Sequence, residues 1–494
     1  MTPRQILSTL LCFIGLTGCM LGPNYQRPKA PISNSYTAKR LPKSTVATAV
    51  NLGNSQKFVT KDIPAQWWAL FHSKALNDLV CSSLKNNPDV AAAQAALRVS
   101  LETVYAQQST LYPNIQASYT PTRQRVASTL TSPVSTNALL FNLHTAQLTL
   151  SYMPDVFGGN RRLIESLSAQ LHVQEFQLEA TYLTLTANVI NAAIEEAALR
   201  EQIAAMNEVV ALQTRISRLY QQQFKLGQVA LADLRIQDAN LAASQALLPP
   251  LQKALAIQRD LLRALAGRFP SEQLAEQFKL ASFHLPTELP LTLPSTLVEQ
   301  RPDVRAAEEQ LHAASAEIGI AVANRLPNIT LGINNYGSAA YTLASLFASG
   351  TGFWTLIGTV SQPIFDGGTL KHRQKAAEAY YQQARAIYKS TVISAFQEVA
   401  DTLQAIHIDA IALRAAQHAE RAAAQSLAIA KRQLTLGDIS PLLLLANQQA
   451  YQQARFHLIR AQANRLVDTV ALFQALGGGW WNRNKTVVAR ISEA

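Results

Sequence analysis

Between Asn160 and Leu226 the chain contains neither glycine nor proline, and the same holds between Thr369 and Leu436. Each run has about 67 residues. As one helix it would extend roughly 100 Å. No single globular core is that long, so the fold has to be built along these helices. In the first run Ile164, Leu167, Leu171, Leu178, Tyr182, Leu185 and Val189 recur at steps of three, four and once seven residues. That is the spacing of a coiled-coil seam. Each run stops at a glycine, Gly227 or Gly437, which suits a left-handed C-cap. A returning helix is predicted after each, over 229–266 and 438–476, with Pro249-Pro250 kinking or breaking the first.

The two runs belong to an internal duplication. "PDVAAAQAALRVSLETVYAQQSTLYPNI" (88–115) aligns without gaps to "PDVRAAEEQLHAASAEIGIAVANRLPNI" (302–329), with nine of 28 positions identical. Further on, "FGG" (157–159) answers "DGG" (366–368), "FKLGQVALADL" (224–234) answers "LTLGDISPLLL" (434–444), and "ALAG" (264–267) answers "ALGG" (475–478). The order is conserved between halves, so one structural unit is written twice. Each unit opens on a helix with proline at its first position and aspartate beside it. Two alternating segments follow, predicted as strands at about 114–122 and 144–153, and again at about 328–336 and 354–364. Opening and returning helices together have about 63 residues, close to the long helix. The matching sums predict a rod in which one long helix packs against two shorter ones.

Four short strands cannot close a membrane barrel, which needs about eight or more, and open strand edges are not tolerated in lipid. The strands are therefore expected to be shared between subunits. Strand counting alone leaves the number of copies open.

The N-terminus reads as an export signal over 1–18: Arg4 is the positive region and Ile6–Gly15 the apolar one. Leu16-Thr17-Gly18-Cys19 resembles the lipobox of bacterial lipoproteins, which implies cleavage before Cys19 and lipid on that residue. Met20, rather than aspartate, follows it. By the same resemblance this favours the outer membrane. Cys12 leaves with the leader, so only Cys81 remains as a free thiol, expected as a small buried apolar residue. The formal net charge is +11, but Lys and Arg are dispersed along helix-like stretches. No basic run is interleaved with aromatics, and no nucleic-acid partner is expected. HExxH, GxSxG and P-loop patterns are absent from the sequence. The chain is therefore read as a non-enzyme with no cofactor and no metal beyond the covalent lipid on Cys19. "GGG" at 477–479 before Trp480-Trp481 reads as a helix end followed by a buried aromatic anchor.

Several segments together resemble the TolC-like outer-membrane factors, in the NodT/RND-efflux lipoprotein group. They are "GPNYQRP" (22–28), "WWALF" (67–71), "LPSTLVEQRPDV" (293–304) and the long stretch opening "PIFDGGTLKHRQKAAEAYY" (363–381). The resemblance runs nearly end to end. It implies a mainly α chain with membrane β: a trimeric 12-stranded outer-membrane β-barrel, four strands per chain, continued by a long α-helical coiled-coil periplasmic tunnel. The organisation expected is signal peptide 1–18, N-terminal anchor and equatorial segment 19–75, repeat 1 at 76–266, equatorial linker 267–301, repeat 2 at 302–476 and an equatorial tail 477–494. The implied function is a passive exit duct for small compounds. The implied partners are two further copies, a periplasmic adaptor, an inner-membrane RND-type transporter and outer-membrane lipid. A type I protein secretion channel shares the fold. A lipid-anchored coiled-coil stalk would share the helices but has no need of paired strands.

In this family the tunnel narrows where the hairpins turn. Leu226, Gly227, Gln228, Leu436, Gly437 and Asp438 are the implied adaptor-contact residues. Asp233 matches the family's acidic tip position in the first hairpin, where a carboxylate ring would attract cations. It also suits a first helical turn on dipole grounds alone. The second hairpin departs from the pattern: Leu443 and Ala446 stand where relatives often carry aspartate, and Leu442 matches a constricting leucine. Leu442 and Leu443 are thus candidates for an apolar gate that closes by dewetting, or else for packing between helices.

Overall fold

A computed structural model of the chain describes residues 20–29, 35–39, 41–132, 134, 137–291 and 294–483. The elements are β1 (Lys57–Val59), α1 (Lys74–Asn86), α2 (Pro88–Ser109), β2 (Asn114–Arg125), β3 (Leu140–Tyr152), α3 (Gly159–Lys225), α4 (Leu231–Ala246), α5 (Leu248–Leu265), β4 (Glu288–Pro290), α6 (Pro294–Gln300), α7 (Pro302–Ala323), β5 (Asn328–Ala340), β6 (Gly352–Ser361), α8 (Thr369–Leu436) and α9 (Pro441–Ala475). The glycine- and proline-free runs are single helices of 67 and 68 residues. The first returning helix breaks at Leu247, just before the Pro249-Pro250 pair, which occupies the first turn of α5 where its missing N–H costs nothing.

Compactness does not follow the duplication. One unit takes Met1–Pro28, Ala96–Gln174 and Ala306–Lys389; the other takes Lys29–Ala95, Glu175–Arg305 and Ser390–Ala494. The divisions fall inside α2, α3, α7 and α8. The physical reason is helix length: a helix this long meets different neighbours along its course, so each repeat contributes to both units.

The first unit holds a four-stranded antiparallel sheet in the order β2-β3-β5-β6. The β3–β5 pair joins the two repeats, with Leu150 opposite Ile333. The strands run past the alternating segments: Thr122–Arg125 continue the ladder against Leu140–Leu143. Alternation hides this extension because polar residues there occupy both faces. Pro121 is accepted within β2 because β2 is an edge strand. On the other edge strand, Trp354, Leu356 and Val360 share one face of β6 and are exposed. Among the described residues both edges, β2 and β6, are unpaired.

The second unit has an aromatic core. Trp67 is fully buried and stacks on Phe473 with ring centroids 5.1 Å apart, beside Phe71. Ala187, Ala193, Ala197 and Ala198 are buried along α3, where a small side chain lets a neighbouring backbone come close. β1 pairs in parallel with β4, Phe58 opposite Leu289. Glu196 is fully buried and compensated by Arg200 at 2.7 Å and Arg259 at 3.7 Å. No helix among the described residues is long and apolar enough to cross a membrane.

Two readings from the sequence are corrected. Cys81 is exposed, because the buried positions of α1 are Leu76, Leu79, Val80 and Ser83 and Cys81 falls off that face. Trp480 and Trp481 are only half-buried. Trp480 donates to the Gln300 carbonyl at 2.7 Å and Trp481 to Asp62 at 3.0 Å, so their N–H edges stay at polar surfaces while Trp67 fills the core.

Candidate functional site

Both hairpin turns lie in the second unit. Gly227 has φ +71° and Gly437 φ +81°. The Gly227 N–H donates to Phe224 O at 3.0 Å and Gln228 to Gln223 O at 2.9 Å; Gly437 donates to Leu434 O at 3.1 Å and Asp438 to Gln433 O at 2.9 Å. The same pair of bonds closes both helices, a Schellman motif repeated by the duplication. A Cβ at either glycine would meet nothing within 4 Å, so the backbone angle alone asks for glycine. Leu226, Gln228, Leu436 and Asp438 are exposed around these turns.

Asp233 is exposed in the first turn of α4. Burial raises the Tyr220 hydroxyl pKa, and the Asp233 charge adds to the rise, which sets the carboxylate near α3. Asp238, one turn further on, accepts from Ser217 at 3.0 Å and pairs with Arg235 at 3.3 Å. In the second hairpin the leucine run divides. Leu444 is buried with Leu427 and Ala430, against Ile216, Leu434, Ile439 and Tyr451. Its neighbour Leu443 is 48% exposed. The Leu442 side chain lies outside the described residues. Gln213 of α3 donates to Gln448 of α9 at 2.9 Å, and both are buried. The structure thus brings the two hairpins side by side, through Ile216 and Gln213.

Cys19 lies outside the described residues; the segment directly after it does not. Residues 20–28 form a strap clamped within the first unit. Arg162, 1% exposed at the start of α3, donates to Leu21 O at 3.0 Å, Gly22 O at 3.4 Å and Asn24 Oδ1 at 2.8 Å, and pairs with Glu165 at 2.7 Å. Gly22 has φ +88°, and a Cβ there would stand 2.5 Å from the Gly319 Cα. Arg27 pairs with buried Glu308 at 2.7 Å. Tyr25 stacks on His312 at 4.3 Å. His312 in turn spans Glu165 at 3.1 Å and Glu309 at 3.3 Å. The Glu309 hydrogen bond, against the cost of burial and with help from Glu165, raises the imidazole pKa above its ordinary value.

A third polar cluster sits between α8 and α9 in the second unit. Buried Arg465 donates to Gln56 Oε1 at 2.6 Å and to Asn54 O at 3.3 Å, and Gln56 donates to Thr469 at 3.1 Å. Arg465 Nε and Nη1, Asp468 Oδ2 and His407 Nε2 are buried there without a hydrogen-bond partner among the described residues. Burial pushes the Asp468 carboxyl up to about 7, and Asp409, which hydrogen-bonds to it, pushes the same way. Burial also brings Arg465 down to about 10, opposed by Asp468 and Asp409, and lowers His407.

Sequence reading did not find Arg162, His312 or the Asp409–Asp468 pair. "GPNYQRP" marked one side of the strap, and the Arg161-Arg162 pair after "FGG" was the available signal for the other. Nothing in the local pattern joins residue 409 to residue 468.

A four-stranded sheet with two free edges, fused to antiparallel helices of up to 68 residues, defines a subunit of a membrane channel. The chain belongs to the outer membrane efflux protein family, whose profile matches residues 79–268 and 293–478. It is 28% identical to the toluene efflux pump outer membrane protein TtgC of Pseudomonas putida, over 97% of this chain and 96% of that protein. It is 30% identical to the pyoverdine export outer membrane protein OpmQ of Pseudomonas putida, over 84% and 88%, and 28% identical to the probable outer membrane lipoprotein SilC of Salmonella typhimurium, over 96% and 99%. In fold it is similar to the Campylobacter jejuni CmeC outer membrane channel, with a TM-score of 0.84 at 23% identity over 96% of this chain and 98% of that one. The chain is accordingly an outer-membrane component of efflux, a transport protein by family.

Proposed function

We propose that three copies of this chain close one twelve-stranded barrel and work as the passive, gated exit duct of a tripartite pump. The observation that carries this is the sheet itself: four strands with β2 and β6 unpaired. In lipid those edges have to be satisfied by other copies. Eight strands would fill their interior with side chains, while twelve begin to leave a lumen. A periplasmic adaptor and an inner-membrane RND-type transporter complete the pump. Leu226, Gly227, Gln228, Leu436, Gly437 and Asp438 meet the adaptor, as the exposed turns allow. Asp233, Leu442 and Leu443 are the gate candidates. Leu443 is supported by its exposure beside a packed Leu444. Lipid on Cys19 anchors the strap, and the duct needs no other cofactor. The cargo is small compounds, as the names of TtgC and OpmQ indicate for those relatives. The test is single-channel conductance of the detergent-extracted protein in planar bilayers, with its mass measured alongside. Discrete conductance steps from a trimer are expected; a non-conducting monomer overturns the reading.

A further inference from the structure

The duplication makes the two strand-to-helix turns comparable, and one is covered where the other is bare. In repeat 1 the turn after β3 lies beneath the strap: the Leu21 N–H donates to Phe157 O at 3.4 Å, and Val156 and Phe157 are half-buried. In repeat 2 the turn after β6 presents Ile364 and Phe365 at 94% and 92% exposure, the highest of any large apolar side chains among the described residues.

This bare turn is firmly held. Asp366 accepts from the Gly368 and Leu370 N–H groups, both at 2.8 Å, and Gln362 donates to Arg325 O at 3.1 Å. Beyond it, Lys371, His372, Arg373 and Lys375 are exposed on the first turns of α8, with Arg325 exposed nearby and bonded to Gln374 at 2.6 Å. The nearby acids are already engaged: Asp366 caps the helix, and Glu378 accepts from Gln374 at 2.9 Å. Membrane strand, apolar pair and cation cluster therefore follow one another within 15 residues, 361–375. That is the order of hydrocarbon, interface and headgroup.

We infer that this turn seats an anionic phospholipid of the leaflet at the helical end of the sheet. Its acyl chains lie against Ile364 and Phe365, and its phosphodiester is met by Lys371 and Lys375, which share one face of α8. Exposed apolar side chains beside cations are the composition that binds an anionic membrane surface. The inference rests on the outer-membrane location that the family carries, and not on the trimer or the duct.

The experiment uses the full-length protein with Cys81→Ala, spin-labelled at Phe365→Cys or, independently, at Ile364→Cys. It is reconstituted in phosphatidylcholine vesicles with and without phosphatidylglycerol. The label should collide readily with oxygen and be shielded from a water-soluble nickel chelate. In parallel, native mass spectrometry of the otherwise unaltered protein should show phosphatidylglycerol retained over phosphatidylcholine, with retention falling at least five-fold when Lys371 and Lys375 are replaced by glutamine. A label shielded from both reagents, as under a second copy of the chain, overturns the inference. So does a label open to nickel, or retention that ignores headgroup charge. Conductance measured on the glutamine variant separates this outcome from failure of the channel reading.

Discussion

Asp409 and Asp468 form a proton-dependent link between the two helices of the second hairpin. Asp468 carries its proton up to about pH 7, chiefly because burial disfavours its charge, then because the Asp409 charge repels it and Asp409 hydrogen-bonds to it. In the unfolded chain the same carboxyl titrates near 3.8. The folded value is the higher one, so the protonated pair stabilises fully below the unfolded value, and that stabilisation is lost as pH rises through about 7. A carboxyl displaced this far corresponds to about 4 kcal/mol. The side chain is half-buried and shares its proton, so screening and relaxation bring the expected loss to roughly 2 kcal/mol. Arg465 stays charged throughout, since burial lowers it only to about 10. The groups facing the pair are thus a fixed cation and His407, which burial keeps below its ordinary pKa. The assay is amide hydrogen exchange along α8 and α9 at pH 5.5 and 8, corrected for the intrinsic pH dependence. Only the upper half of the span between 3.8 and about 7 falls in this window, so protection around residues 405–412 and 462–471 should fall roughly five-fold at the higher pH, the equivalent of about 1 kcal/mol in a local opening. In Asp468→Asn the pH dependence should disappear. An unaltered pH dependence in that variant, or flat protection in the unsubstituted protein, refutes the reasoning.

Three further predictions concern the tip and the strap. Leu444→Ala should cost about 3 kcal/mol by opening a cavity in the Leu427–Ala430 cluster, while Leu443→Ala should alter stability by no more than about 0.5 kcal/mol; denaturant unfolding of the two variants checks the split, and conductance of Leu443→Ala reads its part in the gate. Arg162→Met removes the donors that hold Leu21, Gly22 and Asn24, so limited proteolysis should cut the strap at least ten-fold faster. Because the His312 pKa is raised in the folded protein, its contribution is complete below the ordinary imidazole range and lost above its folded value; strap cleavage, corrected for protease activity, should therefore rise with pH, and His312→Gln should remove that rise.

Long-period features were legible because they are written locally and written twice. The glycine stops at 227 and 437, the proline-led helices at 88 and 302 and the strand alternation each follow from a short window of sequence. Contacts between distant segments left almost no such trace. Arg162 reads as one more surface cation until Gly22 and Gly319 bring the strap within its reach. Cys81 looks apolar by type, yet its exposure depends on which face α1 buries. The leucine run at 442–445 is uniform as a string, while the helix turns one leucine into the Ile216 cluster and leaves its neighbour outside.

The same limit explains why the duplication was a better guide to elements than to surfaces. Two copies of one sequence pattern give equivalent turns after β3 and β6, but there is one strap, and Arg162 holds it over the first of those turns. The opening of α8 carries Lys371, His372 and Arg373, and Leu370 stands where α3 has Arg161. A duplicated fold with a single N-terminus cannot treat both copies alike, so its functional surfaces should be sought where the repeats have diverged around that one segment.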